Sequence, residues 1–314
     1  MTTFGDGVFQ FGGVPVGAFD PVMLAGGKWY FCDPTHGTAG GVATSPETAT
    51  NSLLLAYNMC RDAYNDGVIF IGGATAYNPA AAFDWSKNYT HLLGASSSVP
   101  GKGQRCRVVA KAATALTQAM TISGSGCVIK NIQFNNEKAS GACGSLTVSG
   151  LRNRLDNVFC MNPTSVTATA WAMLVTGAEN AFVRCSFGQI TNARSTSSYG
   201  VWIASAANSL KFIGCEFASW SDQVAHELVH IDADNAGEGW QVQFEDCLFQ
   251  NLGNALLTAA VIDASTAAYH QVIFRGKGNT CVKCTAVANP LTYTYGPDQA
   301  AAASGLLYVA INES

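Results

Sequence analysis

The sequence predicts an all-β chain wound into a parallel β-solenoid, and three observations predict it. The motif FxxCxF recurs as FVRCSF (Phe182, Cys185, Phe187), FIGCEF (Phe212, Cys215, Phe217) and FEDCLF (Phe244, Cys247, Phe249). Each copy follows a short β-rich run and a polar corner: MLVTGAEN, VWIASAAN and LVHIDADN. Gly and Asn recur at those corners, and Asn suits them because it tolerates the left-handed conformation. Alternating apolar strands on a repeat of 25 to 32 residues are what coils stacked one on the next require.

Degenerate copies extend the series toward the N-terminus as IKNIQF (Ile129, Ile132, Phe134) and LDNVFC (Leu155, Val158, Cys160), and a last copy falls at Val272 to Phe274. The predicted core is then two ladders. One runs through Ile132, Val158, Cys185, Cys215 and Cys247; the other runs through Phe134, Phe187, Phe217 and Phe249. The runs ahead of the motifs align through Val148, Val175, Ile203, Ile231 and Ile262.

Taken from the N-terminus, residues 1–31 carry only Asp6, Asp20 and Lys28 as charges beside Phe4, Phe9, Phe11, Phe19 and Trp29. So apolar a segment must bury itself, and it is expected to be an arm or anchor whose contacts include those five aromatics. Residues 32–103 are expected to cap the solenoid, with a helix over about 46–64. Ser45 would be its N-cap, Pro46 and Glu47 its first turn, and Leu53, Tyr57, Cys60 and Tyr64 one face. Val68 to Ile71 follows as a strand. Coils fill 104–290, and the apolar GLLYVAI within 291–314 is expected to close the last coil or pair with a neighbour.

IKNIQFNN, FVRCSFGQ and FIGCEFAS resemble the repeat of the pectate-lyase-like superfamily, and the resemblance covers roughly residues 104–290. It implies a right-handed parallel β-helix whose first coil is capped by a helix. It implies little about function, because the superfamily holds polysaccharide lyases, phage tailspikes and capsid-decorating proteins, the last two usually trimeric.

Composition narrows the choice. Asp, Glu, Lys and Arg make up 12% of the 314 residues at a net charge of -4, about half the usual charged fraction. That excludes clustered-cation binding of nucleic acid or anionic membrane. No run is apolar enough to span a membrane and no charged-then-apolar leader opens the chain, so a soluble protein assembled in the host cytoplasm is expected. Eleven cysteines cannot all pair within one chain, and reduced thiols acting as small apolar groups are the expectation. CVKC (Cys281, Cys284) lacks a second ligand pair for zinc.

The stretch HELVH, His226 to His230, spells the HExxH of zinc proteases. On a helix, His226 and His230 would hold one metal ion while Glu227 polarised its water. Its alignment with Met173 to Val175 and Val201 to Ile203 predicts a strand instead, although Ser221 could cap a short helix ahead of it. On a strand the two rings would share a face about 13 Å apart, too far for one ion, and would face solvent.

The same coil holds Asp222, Glu227, Asp232, Asp234, Glu238, Glu245 and Asp246, seven of the 21 acids. Aligning HIDAD with VIDAS stacks Asp232 on Asp263 about 5 Å away, a spacing that would serve a shared proton, Ca²⁺ or a retaining glycosidase. No Arg or Lys lies between Lys211 and Arg275, so the calcium-and-base chemistry of the superfamily's lyases would need Arg184 or Lys211 from earlier coils. Trp171, Tyr199, Trp202, Trp220 and Trp240 are core, interface or sugar-stacking candidates.

The leading expectation is a bacteriophage virion protein on the particle surface, a homotrimeric decoration or spike subunit that binds its own copies and capsid or tail proteins. It would have no cofactor and no catalytic residues. The alternative is a carbohydrate-binding or polysaccharide-degrading tailspike that contacts host glycan and uses Asp232 and Asp263.

Overall fold

The computed structural model describes residues 10–11, 14–15, 27–95, 105–165, 169–194, 198–204, 206–232, 240–264, 270–276 and 278–289. Three parallel sheets of nine, seven and eight strands form the walls of a right-handed β-helix. Successive turns of chain visit the sheets in that order: Ala181–Val183, then Ser186–Arg194, then Ser198–Ile203, and back to Leu210–Ile213.

The FxxCxF motif is the corner between the first two walls. Its third position is left-handed in each of the six copies, as Asn131 (φ 57), Asn157 (φ 53), Arg184 (φ 53), Gly214 (φ 60), Asp246 (φ 51) and Gly276 (φ 80). That single residue turns the chain so that the Phe before it and the Cys and Phe after it all point inward. Asn and Gly enter that region cheaply, which is why both recur there.

Inside, the phenylalanines stack coil upon coil. Phe182 on Phe212 is 4.6 Å between ring centroids, Phe212 on Phe244 is 5.1 Å, and Phe217 on Phe249 is 4.8 Å. Each thiol donates to the carbonyl of the coil before it: Cys215 Sγ to Phe182 O at 3.3 Å, Cys247 Sγ to Phe212 O at 3.4 Å. Ile132, Val158, Cys185, Phe134 and Phe187 occupy the same buried core. Burial pushes the Cys160 and Cys215 thiols far above their ordinary range, so both are inert packing groups.

The polar corners before the motif work differently from expectation. There Arg152 (φ 57) and Glu179 (φ 57) take the left-handed position and pair across adjacent coils at 2.7 Å. The asparagines that follow are buried acceptors. Asn153 Oδ1 accepts from Cys127 N, and Asn180 Oδ1 from Asn153 N, both at 2.8 Å. These bonds satisfy backbone donors that the corner would otherwise orphan.

The N-terminal boundaries need correction. Parallel pairing begins at Trp29–Cys32 on Gly67–Phe70, so the solenoid starts well before residue 104. Trp29 belongs to this first coil and stacks on His91, with ring centroids 6.1 Å apart; it is not part of an arm. Phe4, Phe9 and Phe19 lie outside the described residues. Phe11 is paired with Val14 in a two-stranded antiparallel ribbon. Residues 291–314 are likewise outside the description.

The helix is also shorter than predicted. Ser45 leads only into the 3-10 turn Pro46–Thr48, and the α-helix runs from Leu53–Met59 with Ser52 as its cap. Thr50 lies between them in extended bridges to Cys32 and Thr38, which breaks any continuous helix. Leu53, Ala56 and Tyr57 seal the first coil, while Tyr64 is exposed beneath the Arg61 guanidinium. Lys87 Nζ caps the helix end through the Tyr57, Asn58 and Cys60 carbonyls.

Candidate functional site

HELVH enters a strand at its second residue: Glu227–Ile231 pairs with Tyr199 through Ile203 on one side and Val261 through Asp263 on the other. The two histidines do not share a face. Leu228 and Val229 are both buried in the core, and two successive inward residues shift the alternation by one. His226, in the turn just ahead of the strand, is buried, 1% exposed, with Nδ1 3.5 Å from Ser198 Oγ. His230 turns outward, so neither the shared zinc ion nor a pair of solvent-facing histidines describes this strand. Residues 222–226 ahead of it form a turn and no helix.

The same inward step recurs in neighbouring strands at Ala172–Met173 and Ala260–Val261. It aligns the outward residues in rows, with Trp171 opposite Tyr199, Tyr199 opposite Glu227, and Leu174 opposite Trp202, which in turn faces His230. On the outer face of the eight-stranded sheet these side chains form one aromatic cluster. Trp171 meets Trp202 edge-on at 5.4 Å, Tyr199 meets Trp202 at 5.5 Å, and His230 lies stacked on Tyr199 at 4.4 Å.

Two carboxylates fix the imidazole. His230 Nδ1 is bonded to Glu227 Oε2, and Nε2 to Asp232 Oδ1 at 3.2 Å. Carboxylate oxygens only accept, so both bonds are complete only when the ring carries both protons. Burial pulls the His230 pKa down, but the hydrogen bonds and charges of Glu227 and Asp232 outweigh it and leave it raised above 6.5. Burial, then the charges of Glu227 and Asp232, raise the Tyr199 phenol. In its doubly protonated form a ring held this way has no free lone pair, which makes it a poor general base and a good binding group.

Asp263 is not stacked on Asp232. The register sets Asp263 opposite Ile231, and Ile262 opposite His230. Continuing the buried pair Ala260–Val261 under Leu228–Val229 requires that one-residue slip, which moves Ile262 out of the inward line of Val148, Val175, Ile203 and Ile231. Arg184 is held by Asp156 at 2.6 Å, and Lys211 lies in the nine-stranded sheet. Neither belongs to the face that carries Asp232. Trp220 is exposed on the seven-stranded sheet, apart from the cluster, and the Trp240 side chain is outside the described residues. Among the described residues no group of three or more His, Cys, Asp or Glu could hold a metal ion.

The convergence of Trp171, Tyr199, Trp202 and His230 was missed from the sequence. A signal existed: 171, 199 and 227, and likewise 174, 202 and 230, are spaced like the buried line 175, 203 and 231.

No family model and no curated protein matches the chain. Solved structures do. A pectin methylesterase in complex with a hexasaccharide shares 12% identity over 86% of this chain and 91% of that one, with a TM-score of 0.56. A pectate lyase shares 13% over 85% and 74%, also at 0.56. The ORF18 protein of Geobacillus virus E2 shares 14% over 82% of this chain and 53% of that one, at 0.50. At these identities the likeness establishes the right-handed parallel β-helix fold.

Proposed function

We propose that this protein is a binding β-helix of a bacteriophage particle, a spike or decoration subunit that holds polysaccharide on the outer face of its eight-stranded sheet without cleaving it. The observation that carries this reading is the Trp171–Tyr199–Trp202–His230 cluster. Aromatic faces bind the apolar faces of sugar rings, and a fixed cation flanked by carboxylates offers donors and acceptors to their hydroxyls. Glu227, Asp232 and charged His230 sum to one negative charge, which favours neutral glycans over polyuronates.

The fold shared with polysaccharide-acting proteins and with a viral protein supports the setting, as does a surface poor in charge. Such a subunit would sit on the virion surface, most simply as a homotrimer, and dock on capsid or tail proteins through the N-terminal segment that includes Phe4, Phe9, Phe11 and Phe19. The test is the copy number per purified particle by quantitative mass spectrometry. Hundreds of copies would identify decoration and a few tens a spike, while none would overturn the virion assignment. Deleting residues 1–26, which leaves the first-coil strand Trp29–Cys32 in place, is expected to abolish attachment, and a truncated chain that still decorates particles would count against the anchor.

A further inference from the structure

Nine of the eleven cysteines are buried; Cys281 and Cys284 alone are half-exposed. Their setting differs from that of the ladder thiols. In the preceding coil the corner between the seven- and eight-stranded sheets spans Phe249 to Leu257. In the last described coil their register partners are Cys281 and Cys284, so the corner has shrunk to Val282 and Lys283. Lys283 makes that turn in the left-handed conformation (φ 56). It is pinned there, with Nζ donating to Gly253 O at 2.7 Å and its carbonyl accepting from Leu257 N at 3.0 Å.

The tight corner leaves only Val282 and Lys283 between the two thiols, both of which pack against the core, with Cys284 Sγ donating to Val282 O at 3.7 Å. Interaction with the neighbouring Cys284 lowers the Cys281 thiol below its ordinary value, while Cys284 is raised. The pair thus divides into a nucleophile and a resolving thiol.

We propose that Cys281 and Cys284 are a redox site that closes to an intrachain disulfide and staples the seven-stranded to the eight-stranded sheet at the last described coil. The oxidant is a small-molecule disulfide such as oxidised glutathione. The Cys281 thiolate attacks one sulfur of that disulfide and releases one thiol. Cys284 then attacks the Cys281 sulfur of the mixed disulfide and releases the second. The protein loses two electrons and two protons, which leave on the two released thiols. A chain assembled in a reducing cytoplasm would acquire the staple on release into an oxidising medium.

The test treats the reduced full-length chain with oxidised glutathione and follows intact mass, then maps peptides. The expected result is loss of two hydrogen atoms, one Cys281–Cys284 link, nine thiols left free, and slower amide exchange across 280–289 that dithiothreitol reverses. Cys284→Ser should instead trap one glutathione on Cys281. Eleven thiols left free, two glutathiones added without closure, or a link between ladder cysteines such as Cys215 and Cys247 would each overturn the proposal.

Discussion

The imidazole of His230 lies flat on the ring of Tyr199, centroids 4.4 Å apart and planes 17° from parallel, while Glu227 and Asp232 take its two nitrogens. The two residues come from adjacent coils, so the stack ties neighbouring turns together on the surface as the phenylalanine ladders do inside. Its charge makes the tie pH-dependent. The His230 pKa is raised in the folded state, so its stabilisation is full below the unfolded value of about 6.5 and is lost as pH rises through the raised one. Urea midpoints measured from pH 5 to 9 should fall across that window in the native protein. In His230→Gln the fall should be smaller, and an unchanged profile would refute the imidazolium.

Trp202 touches Trp171, Tyr199 and His230 at once, yet it lies outside the core cluster. Trp202→Ala should leave the melting temperature nearly unchanged and weaken glycan binding by at least tenfold, since a stacked ring contributes about 1–3 kcal/mol. Isothermal titration with the same oligosaccharide on both proteins reads it directly.

Gly144 lies directly beneath Trp171. A Cβ added there would stand 1.8 Å from Trp171 Nε1, so the indole must leave its place. Gly144→Ala is therefore expected to reproduce the binding loss of Trp202→Ala, and to change near-ultraviolet circular dichroism without changing the far-ultraviolet signal.

The ladders carry the stability. Phe217 is fully buried and stacks between Phe187 and Phe249 at 5.2 and 4.8 Å. Phe217→Ala should cost about 3–5 kcal/mol, read as a lowered denaturant midpoint.

Asp66 anchors the N-terminal end. Its side chain is fully buried and accepts from Arg61 Nε, Arg61 Nη2 and the backbone N–H groups of Lys28 and Arg61. Burial opposes its charge, but these donors win and hold its pKa down to about 2. The stabilisation is present above the unfolded value of about 3.9 and is lost as pH falls through the folded one. Asp66→Asn should cost about 2–3 kcal/mol at neutral pH and flatten the acid limb of the stability curve.

What the sequence revealed follows from period. Phe and Cys repeat because every coil must fill the same interior, so the motif exposed the fold and its core. Three features were hidden by single-residue events. The strand starts at Glu227 and leaves His226 buried in the turn ahead of it while His230 faces outward, the register slip separated Asp263 from Asp232, and Thr50 cut the predicted helix. The aromatic cluster was hidden differently: Trp171, Tyr199 and Trp202 stood out as core, interface or sugar-stacking candidates, but they are distant in sequence from one another and from His230, so their convergence did not show.

If the aromatic face binds polysaccharide without cleaving it, affinity and the number of chain ends separate. The measurement that tests this most directly is incubation of the intact protein with purified host-surface polysaccharide, following affinity and new chain ends in the same samples. The expected result is saturable binding, no new ends, loss of binding in Trp202→Ala, and unchanged binding in Asp263→Asn. New chain ends that disappear in Asp232→Asn with Asp263→Asn, or binding that survives Trp202→Ala intact, would contradict it.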